Sequence, residues 1–587
     1  MDRNIPINEF PNLDIFTDDK NFKVSLNQSN DGNGIYIFQF SIQSEDYCQP
    51  EPITLRWRLP SFNIKGVWKA GGIHDKRQQY DWELEHPTSR ISVDAPIITV
   101  FSHTDTNIHT IACSDAINLI EMNALLREED NSEYCHITFF KESHPAVKHY
   151  SADIRIDTRE VPFSKSIQDV SEWWETYPNL QPHPTPDIAR APLYSSWYQF
   201  HQDLNPDILL SECVIAHKLG YELIILDDGW QTLDNNRGYD YTGDWEPIRF
   251  PDMAAFVEKI HETGMKFGLW FSVPFCGQKS KAYQKFKGKF LTENHRWAPV
   301  FDPRYPEVRN HLISIYVNAL KEWNLDAFKF DFIDDFKTYP ETVLTKDDGR
   351  DYANVNEAVD RLLMDALTAL REIKPHIAIE FRQQYIGPAL RKYGNMFRAF
   401  DCPNDVVSNR IRVTDVKLLC GNTAVHSDPQ TWHREEKVEL AALQILNGFF
   451  GVPQMSMLLD DLPEDHFNMI KFYTHYWNEN KRILLDGQFV AHGPLVNYPC
   501  LVSSLGSHCI IGLYEDFVIR ATLHNSLDII NAKMTETIAL KNDDEVNCNY
   551  LKYNCTGQLV EEGSITLTTG IVEILVPKSG LIRLSRI

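Results

Sequence analysis

Lys329 and Asp331 lie two residues apart in the apolar run Asp326-Ala327-Phe328-Lys329-Phe330-Asp331-Phe332, and Asp331 falls where the run stops. Side chains alternate along an extended chain, so this cation and this carboxylate share one face. A carboxylate presented at the end of a buried strand can serve as a nucleophile if a second carboxylic acid faces it. Asp334 and Asp335 follow beyond the run and read as part of a solvated loop.

Other apolar runs end in the same way. Leu226-Asp227-Asp228-Gly229-Trp230-Gln231 places two carboxylates beside an indole. Two adjacent charges are too costly for a packed core. At a strand end they can accept from sugar hydroxyls with Trp230 as an apolar wall, or they can cap a helix in a solvated turn. Phe267-Gly268-Leu269-Trp270-Phe271 aims Trp270 at the same mouth, and Glu380-Phe381-Arg382-Gln383-Gln384 supplies Arg382 and Gln383. Arg398-Ala399-Phe400-Asp401-Cys402-Pro403-Asn404-Asp405 brings Arg398 and two more carboxylates, and His426-Ser427-Asp428 closes the set. Each alone reads equally as a rim ion pair. Together they form a pattern, because the opposite ends of the runs carry only Lys266, Asp326 and His376. No HExxH or Asp-rich loop accompanies His426, Asp428 and His433, so neither a metal nor any other cofactor is expected, and His426 reads as a hydrogen-bonding residue.

The elements that must position these residues follow from the pattern between them. Candidate strands are 193–198, 223–226, 267–273, 327–331, 377–381, 396–401, 423–426 and 449–453. Stretches of helical period such as 306–323, 357–373 and 413–419 lie between them. Eight strands with helical crossovers predict a (β/α)8 barrel, whose chemistry gathers at the C-terminal strand ends. A doubly wound sheet would also alternate, but no Gly-rich phosphate turn follows the first strand. Before the barrel, runs such as Gly34 to Phe40 and Ile97 to Phe101 predict a β-sandwich over 1–185, closed by a Pro-rich linker at 177–186. After it, runs such as Cys509 to Tyr514 and Gly570 to Val576 predict a small antiparallel β-domain over 484–587, leaving 186–483 to the barrel.

Composition narrows the partner. Of 587 residues, 82 are acidic and 57 basic, and a net charge of −25 disfavours nucleic acid and anionic membranes. No apolar stretch is long enough to span a bilayer. The first residues show no apolar h-region, and eleven scattered Cys without CxxC spacing fit reduced thiols, so a cytoplasmic location is expected. Thirteen Trp and 24 Tyr suit aromatic platforms for sugars and large cores alike.

Asp227-Asp228-Gly229-Trp230 resembles the second-strand motif of glycoside hydrolase family 36 and its relative family 27, the melibiase-type α-galactosidases. Lys329-Phe330-Asp331-Phe332 resembles the fourth-strand motif that holds the nucleophile of that clan. Gly268-Leu269-Trp270-Phe271 and Ser196-Trp197-Tyr198 resemble its third- and first-strand segments. Family 36 also carries flanking β-domains. The resemblance implies a retaining exo-α-glycosidase, with an α-galactoside among small oligosaccharides as the leading substrate. Asp331 is the implied nucleophile and an acid on the sixth strand the proton donor. Asp227 and Asp228 are implied to hold hydroxyls far from the anomeric centre, and Lys329 to keep Asp331 ionised. Trp197, Trp230, Trp270, Arg382, Gln383 and Arg398 complete the expected substrate contacts. Asp401 is preferred as the acid because it ends its apolar run, with Asp405 as second candidate. The fifth strand departs from the Cys-Ser-Gly-Gly-Gly-Arg-like stretch of many family members, which leaves α-glucosides, α-N-acetylgalactosaminides and β-L-arabinopyranosides open. A raffinose-type transglycosylase and a non-catalytic sugar-binding barrel remain the other readings. Homo-oligomerisation is expected from the flanking β-domains.

Overall fold

Residues 3–4, 13–72, 74–83, 87–520 and 526–587 are described by a computed structural model. The centre of the molecule is an eight-stranded parallel sheet: β1 Leu193–Ser195, β2 Leu223–Leu226, β3 Lys266–Ser272, β4 Ala327–Asp331, β5 Ala378–Arg382, β6 Met396–Arg398, β7 Ala424–His426 and β8 Gln454–Met455. Neighbours pair in chain order and β8 pairs with β1. The Val452 N–H donates to Val425 O at 2.7 Å and the Ser427 N–H to Val452 O at 3.0 Å, which links the β7 edge to the segment entering β8 and closes the barrel.

The strands form where the apolar runs predict them. All four residues of β2 and all five of β4 are buried, as strands covered on both faces require. Within β4, Phe328 and Phe330 pack outward against Tyr316 of helix Pro306–Trp323, so Lys329 and Asp331 take the inner face. That helix starts with Pro in its first turn and ends at Asn324 with φ of 50°, the left-handed conformation Asn tolerates. Helix Val355–Ile373 is capped by the Asn354 side chain, which accepts from Asn356 N and Glu357 N.

Four local readings need correction. The first strand ends at Ser195, and Trp197–Phe200 is a short helix. The sixth ends at Arg398, so Asp401 stands in the following loop. The eighth lies at 454–455 rather than 449–453: helix Val438–Asn447 ends at Gly448 and the Gly451 N–H turns back onto Gly448 O. Phe449 and Phe450 are apolar because they pack on Tyr473 and Phe489, outside the sheet. Finally, the stretch before the barrel is not all β.

That stretch holds a seven-stranded and a six-stranded sheet facing each other across a core that includes Phe38, Phe40, Trp57, Ile111 and Ile154. It ends in helix Phe163–Trp174, whose buried Phe163, Ile167, Val170 and Trp174 repeat with helical spacing. Between β5 and β6 the described chain makes only a 3-10 turn, Leu390–Lys392, where other crossovers carry α-helices. Helix Phe163–Trp174 covers that side. Ser171 Oγ donates to Leu419 O at 2.8 Å, and Arg391 from the turn donates to Ser171 Oγ at 2.9 Å and to Glu175 at 2.7 Å. After the barrel, helix Glu464–Asp486 leads into a seven-stranded and a three-stranded sheet with their own core around Ile511, Ile529, Leu540 and Leu584. The fold is thus a TIM barrel with an N-terminal β-sandwich and a C-terminal β-domain.

Candidate active site

Asp331 lies at the C-terminal end of β4 with its side chain 8% exposed. Its Oδ1 accepts from Arg382 Nε at 2.8 Å, from Tyr385 Oη at 2.6 Å and from the Phe332 N–H at 2.8 Å. Its Oδ2 accepts from Trp270 Nε1 at 2.9 Å. Burial pushes this carboxyl up, but Arg382, Lys329, and the hydrogen bonds from Tyr385 and Trp270 outweigh it and hold Asp331 well below the usual carboxylate range. The result is an ionised, oriented carboxylate whose Oδ2 is the less saturated oxygen.

Lys329, two residues back on the same face, donates to Asp227 Oδ2 at 2.6 Å. Asp227 Oδ1 accepts from the Asp228 N–H at 2.9 Å, and the Asp227 N–H is held by Ser196 Oγ at 2.9 Å. The neighbouring Asp228 accepts from Gln231 at 2.7 Å and Gln202 at 2.6 Å. Burial raises it to about 7. The two carboxylates are therefore different groups: Asp227 is paired with a cation, while Asp228 is held by neutral amides.

Arg398 ends β6 and holds the third set. It donates to Asp401 Oδ1 at 2.8 Å and to Asp428, and its Nε lies 3.7 Å from Glu380. Asp428 also accepts from Tyr198 Oη and from the Cys402 N–H, both at 2.7 Å, and burial raises it to about 7. Asp401 is the accessible member, its side chain 39% exposed. Burial raises its carboxyl, yet Arg398, Arg382 and Lys329 bring it below its ordinary value.

These groups converge on one cavity of ≈ 400 Å³. Of the residues expected from sequence, Asp331, Asp401, Asp227, Asp228, Trp270, Lys329, Arg382, Arg398 and Trp197 line it. Three do not. Trp230 is fully buried beneath the mouth, its Nε1 donating to Trp270 O at 2.9 Å and its ring stacked on Trp245, so it supports the indole that faces the cavity. Gln383 turns away, as the residue after inward-facing Arg382 must, and its Oε1 accepts from the Phe400 N–H at 3.0 Å. Asp405 caps helix Val406–Leu419 through the Ser408 N–H at 3.0 Å. Asp334 and Asp335, read from sequence as a solvated loop, line the cavity wall instead. The 3-10 turn Ile333–Asp335 folds them back toward the mouth.

Sequence reasoning did not reach several cavity neighbours. Tyr385 follows β5 in a turn that no periodicity marks. Arg296 and Trp297 come from a loop between the short strands Phe290–Thr292 and Val300–Phe301, inserted after β3, with Trp297 41% exposed. Tyr239, Phe332 and Phe400 complete the aromatic lining. Among the described residues, no group of three or more His, Cys, Asp or Glu side chains could hold a metal ion. His426 binds Ala189 O at 2.7 Å and Gln454 at 3.2 Å, and Asp428 is committed to Arg398 and Tyr198.

Comparison with known proteins gives this geometry its relatives. Residues 179–380 match the family model described as Melibiase. The chain is 31% identical over 179 residues to α-galactosidase 2 of Pediococcus pentosaceus, covering 28% of this chain. It is 30% identical over 156 residues to α-galactosidase Mel36A of Lactobacillus acidophilus, covering 25%. The matched segments span 24% and 21% of those two relatives' own lengths. The whole fold is similar to the GH36 α-galactosidase AgaA of Geobacillus stearothermophilus, with TM-score 0.67 and 14% identity over 98% of this chain and 82% of that one. It is also similar to the galactosidase domain of the α-galactosidase–sucrose kinase AgaSK, an enzyme of Mediterraneibacter gnavus, with TM-score 0.68 and 13% identity over 100% of this chain and 85% of that one. Residues 179–380, the segment that matches the Melibiase model, carry Asp227, Asp228, Lys329 and Asp331, and the chain as a whole has a fold similar to that of GH36 α-galactosidases.

Proposed function

We propose that the protein is a retaining exo-α-glycosidase, acting as an α-galactosidase on α-linked oligosaccharides. The observation that carries this reading is Asp331: an ionised carboxylate, held through Oδ1 by Arg382 and Tyr385, lining the same cavity as the more accessible Asp401. In the first step Asp331 Oδ2 attacks the anomeric carbon as the glycosidic bond breaks, and Asp401 gives its proton to the leaving oxygen. In the second, Asp401 takes a proton from water, which attacks the same carbon and releases Asp331. Asp227, Asp228 and Lys329, buried in the cavity lining, hold the hydroxyls of a terminal sugar. Support comes from the relatives, named α-galactosidases, and from AgaA variants solved with raffinose and with stachyose.

The test is hydrolysis of aryl α-galactosides by wild type, Asp331→Asn and Asp401→Asn. Loss of either carboxylate is expected to cost about three decades of rate or more. An Asp331→Asn variant with wild-type turnover, or a first-formed sugar of inverted configuration by NMR, overturns the mechanism.

Arg382 favours a second reading of the sugar. It donates to Asp331 Oδ1 at 2.8 Å from the fifth strand, the strand whose sequence departs from the family stretch, so a substituent other than hydroxyl at the sugar's second carbon is the alternative. A panel of aryl α-glycosides differing at that carbon separates the two.

The division into 1–185, 186–483 and 484–587 is our proposed domain scheme. A reducing, cytoplasmic setting is supported by eleven unpaired Cys, ten of them buried. None of the described helices is long and apolar enough to cross a membrane. Homo-oligomerisation is proposed from the flanking β-domains, and sizing by light scattering tests it.

A further inference from the structure

Asp401 stands three residues beyond the end of β6, with its side chain 39% exposed. Backbone groups outside a sheet must find their hydrogen bonds elsewhere, and in this loop side chains supply them. The Phe400 N–H donates to Gln383 Oε1 at 3.0 Å, and the Cys402 N–H donates to Asp428 Oδ2 at 2.7 Å. Arg412 Nη1 donates to Asp401 O at 2.9 Å and to Phe400 O at 3.3 Å. The Phe400 ring, which lines the cavity, carries two guanidinium groups, Arg382 at 5.1 Å and Arg412 at 5.3 Å from its centroid.

Gln383 and Arg412 are held together from outside the barrel. Gln383 follows β5 and is fully buried, and Arg412 is a half-buried residue of helix Val406–Leu419. Gly72 of the N-terminal sandwich packs on both. A Cβ there would meet Gln383 Nε2 and Arg412 Cγ, each at 2.8 Å, and its φ of 67° is one that favours glycine. Three residues beyond Arg412, Asp415 accepts from Trp68 Nε1 at 2.8 Å and from Lys76 Nζ at 3.0 Å. Residues on either side of Gly72 therefore fasten the same helix to the sandwich.

We propose that Gln383 and Arg412 are positioning residues for the general acid: one holds the Phe400 N–H, the other the carbonyls of Phe400 and Asp401, and Gly72 of the sandwich closes this grip so that Asp401 stays in reach of the leaving oxygen. Neither side chain lines the cavity, so both act through the loop. The inference rests on the glycosidase reading, in which Asp401 protonates that oxygen. A misplacement of about 1 Å at such a group costs about 100-fold in rate. Substrates do not share this cost equally. A leaving group that departs as a stable anion needs little protonation, whereas a sugar alcohol departs only with a proton. Loss of the grip therefore splits the two kinds of substrate, while a general loosening of the fold lowers both alike.

The experiment measures kcat/KM of wild type, Arg412→Ala and Gln383→Leu on an unactivated α-galactosyl disaccharide and on 2,4-dinitrophenyl α-galactoside. Each variant is expected to lose about 30- to 100-fold on the disaccharide and less than about fivefold on the dinitrophenyl glycoside. Equal losses on the two substrates, or no loss on the disaccharide, overturn the positioning role. Should the buried Gln383→Leu variant not fold, the half-buried Arg412→Ala decides alone. A second arm reads Tm for Gly72→Ala, Arg412→Ala and the double variant. Gly72→Ala should lower Tm, and by less in the Arg412→Ala background, where its Cβ no longer meets Arg412 Cγ. Additive changes in Tm overturn the closure by Gly72. A wild type inactive on both substrates overturns the glycosidase reading and the acid's role with it, whereas an active wild type with unsplit losses overturns the positioning alone. The thermal arm needs no activity and decides the Gly72 contact in either case.

Discussion

Tyr385 donates its phenolic proton to Asp331 Oδ1 at 2.6 Å, the same oxygen that Arg382 Nε holds at 2.8 Å. The Tyr385 oxygen in turn accepts from the Phe332 N–H at 3.1 Å, so its proton has one direction to go. A turn that lies outside every barrel strand thereby joins Arg382, the last residue of β5, in setting the position and charge of the nucleophile.

Tyr385→Phe is expected to reduce kcat by about 10- to 100-fold, since a hydrogen bond to a charged group contributes about 1.5–3 kcal/mol. The hydrogen bond lowers the Asp331 carboxyl, so the acid limb of the pH profile should move to higher pH in the variant. Affinity for a non-reacting sugar analogue should stay within a few-fold. An unchanged acid limb would remove Tyr385 from the nucleophile's environment.

Activity should be greatest on the acidic side of neutrality. Asp401 must be protonated to donate, yet Arg398, Arg382 and Lys329 place it below its ordinary value despite burial. Above that value the protonated fraction falls tenfold per pH unit, and kcat/KM falls with it. Asp331 lies below the carboxylate range and stays ionised on that side. Asp401→Asn should flatten the alkaline limb and retain more activity on aryl glycosides with good leaving groups than on unactivated sugars. A kcat/KM maximum above neutral pH would contradict these assignments.

Lys329→Met should lose about 100-fold or more in kcat/KM, because it removes the cation beside Asp331 and leaves Asp227 buried without its partner. Thermal denaturation should show a cost of about 3–5 kcal/mol. Restoring neutrality with Asp227→Asn in the same chain should recover part of the stability but none of the activity. A double-mutant cycle reads the coupling directly, and additive losses would argue against the pair.

Arg398→Met removes a cation that contacts Asp401, Asp428 and Glu380 together. Leaving several carboxylates uncompensated beside the active-site cavity should destabilise by about 3–5 kcal/mol or more. Because those carboxylates then protonate more readily, the loss should shrink at acidic pH. Equal losses at about pH 5 and pH 8 would show that Arg398 acts through packing alone.

Asp331, Lys329 and Asp227 were legible as a group because each follows or interrupts an apolar run, and period-2 alternation alone says which side chains face one way. The same alternation placed Trp270 and Arg382 correctly on the inner face, and by itself would have turned Gln383 outward. Trp230 was not legible: an indole beside two carboxylates looks like a wall, but which ring lies on top of which depends on Trp245 and Trp270, which reach it from elsewhere in the chain.

Alone, the sequence determined what local periodicity and side-chain chemistry encode: eight parallel strands, flanking β-domains, and carboxylates at the strand ends. The tertiary structure decided what depends on separations of tens to hundreds of residues. It placed Tyr385 on Asp331, turned Asp334 into the cavity, and set Gly72 of the sandwich against the side chains that hold the Asp401 loop. Contacts of that kind carry no period in the chain, because they arise from the packing of loops against a scaffold rather than from the repeat of an element.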